Sequence, residues 1–301
     1  MLLQEKVVVV TGAGRGIGRA IALACAREGA SVVVNDIGVG LGGEAEDENP
    51  ADTVAAEIAA MGGQAHANRD SVAGWDSASA LVADTMARFG RIDAVVNNAA
   101  ILRDTIFHRL TPEDWNAVIS VNLTGAFYVS RAAVAHMREA GGGAFVHIIS
   151  NSGLAGNFGQ SAYAASKAGL AALSKSIAID GERFGIRSNC IAPSAWTRMT
   201  GSIPETPENR ARIEMRKQVT PEKNAPLAAY LASPAAEGVT GQIFATRMNE
   251  IFLMSQSRPL RGIHRDGGWT PQTVAEHAIP ALRPSFYPLE RNEHVFPWDP
   301  V

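Results

Sequence analysis

The chain has 301 residues, 46% of them hydrophobic and 19% charged, an ordinary globular composition that excludes a disordered or fibrous protein. Lys and Arg (27) fall short of Asp and Glu (30), so the net charge of −3 leaves no basic surplus for a phosphate backbone and argues against a nucleic-acid partner. No uninterrupted apolar run reaches about 18 residues and the N-terminus MLLQEKVVVVTG has no secretory pattern, so no membrane span is expected and the expected compartment is the cytoplasm.

In chain order, Lys6–Thr11, Ser31–Asp36, Ile92–Asn97 and Phe145–Ser150 are β-branched runs without polar alternation, as expected of strands covered on both faces. Between them Ile17–Glu28, Pro50–Met61, Gly74–Phe89 and Pro112–Glu139 carry Ala, Leu, Glu and Arg with apolar spacing of three and four, which predicts helices. A further helix from about Ser161 to Arg183 and a strand at Ile186–Ile191 follow. The alternation predicts one α/β domain, a parallel sheet with helices on both sides. Gly38–Asn49 is Gly-rich and aperiodic, a surface loop, and its acidic residues Glu44, Glu46, Asp47 and Glu48 lack the alternation of a calcium loop. From Arg247 onward no sheet-and-helix repeat is visible, but Phe286, Tyr287, Phe296 and Trp298 predict a tail that packs on its own subunit or a neighbour. Cys25 and Cys190 sit in apolar stretches, as buried reduced thiols do, and the seven histidines have no metal-ligand spacing.

The first predicted strand runs into TGAGRGIG, whose glycines at 12, 14, 16 and 18 would let the backbone turn tightly and approach a pyrophosphate at a helix N-terminus. The spacing is not G-x-G-x-x-G. Asp36 ends the second strand, where a carboxylate would accept both adenosine ribose hydroxyls and repel a 2′-phosphate, favouring NAD over NADP. Arg15, inside the turn, points the other way, because a guanidinium there would pair with a 2′-phosphate. Tyr163 and Lys167 are four residues apart on one face of a predicted helix, so a cation beside the phenol would favour phenolate and make a general base. Ser150, thirteen residues earlier at a strand end, would orient a substrate hydroxyl or carbonyl.

From Lys6 to about Ala245 the sequence resembles the short-chain dehydrogenase/reductase family, with TGAGRGIG, an NNAA at 97–100, Asn122, Ser150 and Y-x-x-x-K at 163–167 in order. The resemblance implies a Rossmann-type doubly wound sheet over residues 1–245 and a C-terminal extension over 246–301. It implies phosphate and ribose binding by Gly12, Gly16, Ile17, Gly18 and Asp36, adenine contacts from Asp70 and Ser71, and Asn97 lining the cofactor cleft. Tyr163 and Lys167 would hold the nicotinamide ribose while Tyr163 exchanges the proton, and Asn122 would hold a water relaying protons from Lys167. A homotetramer built on the helices around 112–139 and 161–183 is implied too. The chain departs from the family's usual NNAG at Ala100 and from Pro-Gly at Pro193-Ser194, with Thr197 four residues after the proline, which leaves cofactor contacts over 194–197 open.

The blocks VVVNDIG, VVNNAAILRD, GNFGQSAYAASKAGL and IAPSAWTRMT bear a closer resemblance to the dehydrogenase domains of peroxisomal multifunctional enzymes of type 2 (17β-hydroxysteroid dehydrogenases type 4) and bacterial relatives acting on 3-hydroxyacyl-CoA thioesters. That implies NAD-linked oxidation of a secondary alcohol to a ketone on an acyl-CoA or steroid-like small molecule. Residues 196–217, with Trp196, Met199 and Met215, are the expected substrate lid. The alternatives are an NADPH-linked 3-oxoacyl reductase, if Arg15 governs, and a cofactor-binding regulatory protein that has lost catalysis.

Overall fold

A computed structural model describes residues 1–39, 49–197, 210–291, 294–296, 298 and 300. The strands are Val7–Thr11 (β1), Ser31–Asn35 (β2), Gln64–Asn68 (β3), Ala94–Asn97 (β4), Gly143–Ile148 (β5), Ile186–Pro193 (β6), Ile243–Arg247 (β7) and Glu250–Leu253 (β8). The main helices are Gly16–Arg27 (α1), Pro50–Ala60 (α2), Trp75–Phe89 (α3), Pro112–Ile119 (α4), Gly125–Glu139 (α5), Asn151–Ala155 (α6), Ser161–Gly181 (α7), Arg210–Lys217 (α8) and Ala225–Ala232 (α9). One sheet of order β3-β2-β1-β4-β5-β6-β7-β8 is parallel up to its last, antiparallel pair. This is the Rossmann-type doubly wound α/β fold, and its strand order reverses between β1 and β4.

The valines of β1 are buried on both faces, because their stiff branched side chains fill the space between sheet and helices. Val8, Val10, Val32 and Val34 face α1, α2 and α9, whereas Val9, Val33, Val95 and Phe145 face α3 and α5. Asn49 caps α2 by accepting from Ala51 N, and Thr111 caps α4 by accepting from Asp114 N.

The structure differs from the sequence reading in several places. The helix expected over 112–139 is interrupted by a π turn at Ser120–Thr124. Taken whole, it is apolar enough for a membrane span, with mean hydropathy 1.3 over its best window, a point that a search for uninterrupted apolar runs passes over. A core helix has the same composition, and here Val118, Val129, Ala133 and Met137 are buried in the domain. β3 lies at the sheet edge with no β-branched residue, and β8 adds a strand to a segment expected to be irregular. A two-residue turn, with Met248 at φ 51°, makes that hairpin.

In the tail, Phe252 packs against Phe296 (centroids 4.5 Å apart) and Trp298 (6.0 Å). The Arg247 guanidinium covers both rings, donates to Trp298 O and pairs with Glu250 at 2.7 Å. Phe296 and Trp298 therefore pack on their own chain, while Phe286 and Tyr287 are exposed. The lid residues 198–209, Met199 included, lie outside the described residues, as do 40–48 with the four acidic residues of the loop.

Candidate active site

The glycine-rich turn lies at the carboxyl ends of β1 and β4. Thr11 Oγ1 accepts from Asn98 N and Ala99 N, both at 3.1 Å. Asn98 Nδ2 donates to Thr11 O (3.0 Å) and Gly12 O (2.9 Å). A Cβ at Gly18 would stand 2.2 Å from Gly12 O, and one at Gly12, where φ is +61°, would stand 2.8 Å from Ala99 Cα. The turn can close this tightly only with glycine at both positions. Gly16 and Ile17 then open α1, whose N-cap residue Arg15 makes no capping side-chain hydrogen bond.

Asp36 is fixed at the rim of this turn, its Oδ2 accepting from Gly14 N (3.0 Å) and its Oδ1 from Gly38 N (2.9 Å). Asp70 and Ser71 lie on the same rim beyond β3. Asn35 Nδ2 donates to Asp70 O (2.8 Å), Asn68 Nδ2 donates to Asp70 Oδ2 (2.8 Å), and Ser71 Oγ accepts from Ala73 N (3.2 Å). Asn97 is placed differently from the expectation. Its side chain turns into the core, with Nδ2 donating to Ser130 Oγ (2.9 Å) and lying 3.2 Å from His147 Nδ1. The neighbouring amide, Asn98, is the one that reaches the glycine-rich turn, because successive residues at a strand end face opposite sides.

The second group gathers at the carboxyl end of β5. Ser150 caps the short helix α6, accepting from Ser152 N at 3.1 Å, and its hydroxyl is hydrogen-bonded to Tyr163. Lys167, one turn along α7, is buried, donates to Ile148 O at 2.7 Å, and holds its Nζ 5.6 Å from the centre of the Tyr163 ring. The expectation that Lys167 lowers the phenol's pKa is not met in this arrangement. Burial pushes Tyr163 up to about 12, helped by the Asp104 carboxylate and opposed by the Ser150 hydrogen bond. Burial likewise pulls Lys167 down to about 8. The phenol is therefore a proton donor throughout the neutral range.

Asn122 lies in the π turn and is held at both ends of its amide: Oδ1 accepts from Ile101 N (2.8 Å), and Nδ2 donates to Ile101 O (3.1 Å) and Ser166 Oγ (3.3 Å). It stands beside Lys167 through Ser166, with both amide hydrogens used and one lone pair of Oδ1 left to meet a water. Thr197 reaches the other wall, with Cγ2 3.6 Å from where a Gly16 Cβ would be. Two further groups escaped the sequence reading. His147 is wholly buried beneath Lys167, and burial and that lysine's charge pull its pKa down to about 3. Asp104 is bound to Gln160 across the mouth of the site at 2.8 Å.

Residues 6–208 match the family model for short-chain dehydrogenases. A short-chain type dehydrogenase/reductase of Mycobacterium tuberculosis is 46% identical over 231 residues, which cover 77% of this chain and 78% of that protein. A hydroxyacyl-CoA dehydrogenase of the same organism is 39% identical over 285 residues, covering 89% and 86%. Peroxisomal multifunctional enzyme type 2 of Mus musculus is 41% identical over 274 residues, which are 90% of this chain but 36% of that longer protein. Among solved structures, a 7α-hydroxysteroid dehydrogenase complexed with NADH and 7-oxo glycochenodeoxycholic acid superposes with a TM-score of 0.74 at 33% identity, over 82% of this chain and 94% of that one.

Proposed function

The chain belongs to the short-chain dehydrogenase family, and on that premise we propose that it is an NAD-dependent oxidoreductase interconverting a secondary alcohol and a ketone on a 3-hydroxyacyl-CoA or steroid-like substrate. Members of the family are oxidoreductases of hydroxyl and keto groups that bind a nicotinamide cofactor. One observation carries the reading: Ser150, Tyr163 and Lys167 converge at the carboxyl end of the sheet, beside a turn whose glycines leave a backbone cradle.

That cradle fits a dinucleotide. Gly12, Gly16, Ile17 and Gly18 would hold its phosphates with the N-terminus of α1, and Asp70 and Ser71 would meet the adenine. Asp36, already oriented by two backbone N–H groups, would take the adenosine ribose hydroxyls and repel a 2′-phosphate, which favours NAD. The nicotinamide supplies or accepts a hydride when bound. Tyr163 Oη would exchange the accompanying proton with the substrate oxygen, Ser150 Oγ would orient that oxygen, and Lys167 would hold the nicotinamide ribose. Asn122, held by Ile101 and Ser166, would keep one lone pair of Oδ1 for a water that relays protons from Lys167. We also place the protein in the cytoplasm as a homotetramer. Exposed Trp115, Phe127 and Ile179 on α4, α5 and α7 support that assembly, which light scattering tests.

Initial rates with NAD and NADP, on a panel of 3-hydroxyacyl-CoA thioesters and hydroxysteroids, test the substrate and cofactor. Faster turnover with NADP would favour the 3-oxoacyl reductase reading and give Arg15 the deciding role. Tyr163→Phe should bind NADH nearly as wild type and lose turnover by at least about a hundredfold. Substantial residual activity would sink the mechanism.

A further inference from the structure

The segment after β4 and the segment before α7 carry residues to which the reaction above gives no task, and the fold fastens them together. Gln160 Nε2 donates to Asp104 Oδ2 at 2.8 Å, and Thr105 N donates to Gly159 O at 2.9 Å. On its other side Gln160 Oε1 accepts from Ser152 Oγ (2.8 Å) and Asn157 Nδ2 (2.9 Å). Ser152, almost completely buried, donates its backbone N–H to Ser150 Oγ at 3.1 Å. An unbroken chain of hydrogen bonds thus joins Asp104 to Gln160, Ser152 and Ser150, and Ser150 is bonded to Tyr163. Gln160 also sits immediately before α7, three residues from Tyr163 in sequence.

We propose that Asp104 is a positioning residue for the Tyr163–Ser150 pair, acting through Gln160 and Ser152; this rests on the oxidoreductase reading above. A carboxylate donates nothing and must accept, so Asp104 fixes which way the Gln160 amide faces. With Nε2 committed to Asp104, Gln160 presents Oε1 to Ser152 Oγ, and that serine is held where its N–H meets Ser150. A leucine or methionine at 104 would remove this directional constraint and leave the amide free to rotate.

The charge adds a second effect. Asp104 raises the pKa of Tyr163, and burial holds its own carboxyl above the usual range. Among the described residues, the ionisable groups around Tyr163 are Lys167 on α7 and Asp104 on the loop after β4, with His147 on β5 and Cys190 on β6 facing Lys167. The adjacent Arg103 is engaged with Asp114 at 3.6 Å. Asp104 is thus the acidic group set against the phenol. It adds to the burial that keeps Tyr163 protonated and ready to donate to a ketone oxygen, at the expense of the phenolate that alcohol oxidation needs.

The test is the pH dependence of kcat/KM for alcohol oxidation by the full chain with saturating NAD, on whichever 3-hydroxyacyl-CoA or hydroxysteroid the wild type turns over. D104N keeps an acceptor for Gln160 but no charge, so the ascending limb set by loss of the Tyr163 proton should move to lower pH by about half a unit, a roughly threefold gain in phenolate at pH values below the limb. Q160L breaks the chain and should lower kcat about tenfold with KM changed less than about threefold, as for loss of an interaction made at the reacting centre. A D104N limb that coincides with the wild type would overturn the proposal. Should D104N fail to fold, Q160L decides in its place: it leaves the Asp104 charge but frees Ser150, whose hydrogen bond lowers the phenol's pKa, so a limb moved to higher pH with the lower kcat supports the proposal, and a wild-type limb and kcat overturn it. If the wild type turns over nothing on the panel, it is the oxidoreductase reading that fails. The clasp is then measured directly by ultraviolet titration of Tyr163, taken as the difference from Y163F, with a lower midpoint in D104N expected and an unchanged one refuting.

Discussion

Lys167 carries a charge into the interior with one hydrogen bond, to Ile148 O at 2.7 Å, and a residual exposure of 2%. Burial lowers its pKa from 10.5 to about 8, so the folded chain holds this proton less tightly than the unfolded one. Below about pH 8 both states are protonated and the penalty is present in full. As pH rises from about 8 to about 10.5 the folded lysine is neutral while the unfolded one stays charged, and stability recovers. At about 1.4 kcal/mol per pH unit the penalty is about 3 kcal/mol. Lys167→Met keeps most of the volume and removes the charge, at the loss of a hydrogen bond worth about 1 kcal/mol. The variant should therefore be inactive yet about 2 kcal/mol more stable than wild type at pH 7, with the advantage gone by about pH 10.5. Urea unfolding of both proteins without added cofactor, at pH 7, 8.5 and 10, measures this, and other titrating groups cancel in the difference. A variant less stable than wild type at pH 7, or a difference that ignores pH, would refute the reasoning.

Gly18→Ala brings a methyl within 2.2 Å of Gly12 O and 2.4 Å of Asn98 Nδ2. The turn must open, which should destabilise the fold by about 2–3 kcal/mol and weaken NADH binding about tenfold or more through loss of transition-competent cradle geometry. Thermal melting and fluorescence titration would show it, and wild-type values in both would contradict the close packing. Cys25 and Cys190 are no more than 1% exposed and burial pushes both thiols up to about 12. They should resist a disulfide reagent at pH 8 until urea is added, whereas rapid labelling of the native protein would show one of them to be reachable.

The seven-strand doubly wound core was legible wherever a β-branched run or a long amphipathic period marked it, as in VVVVT or the helix from Ser161. The edge strand β3, QAHAN, has neither, and takes its strand from pairing with Ser31–Asn35. β8 is hidden for a local reason: its hairpin turns at Met248, a side chain that gives no turn signal and is held at positive φ. At the site, residue types and spacings pointed to Ser150, Tyr163 and Lys167, but not to the phenol's pKa, which depends on burial and on a carboxylate 59 positions away in the chain, from Asp104 to Tyr163. Asn97 and Asn98 are adjacent identical residues, and only the twist of the strand end decides which of them faces the cofactor side. The pair Asp104 and Gln160 lies 56 residues apart, beyond the reach of any local pattern.

The π turn at Ser120–Thr124 amounts to one extra residue in an otherwise α-helical run. Removing any one residue of those five would let the run close into a regular helix, and would turn α5 by about 100° relative to α4. Val129, Ala133 and Met137 would swing out of the core, or Asn122 would leave Ile101 and Ser166. The irregular turn is thus a phase setting. It lets one continuous rod satisfy two surfaces with different angular demands, the active-site rim at Asn122 and the α3 layer beyond it. A single-residue deletion there should damage the protein more than a substitution at most of the same positions.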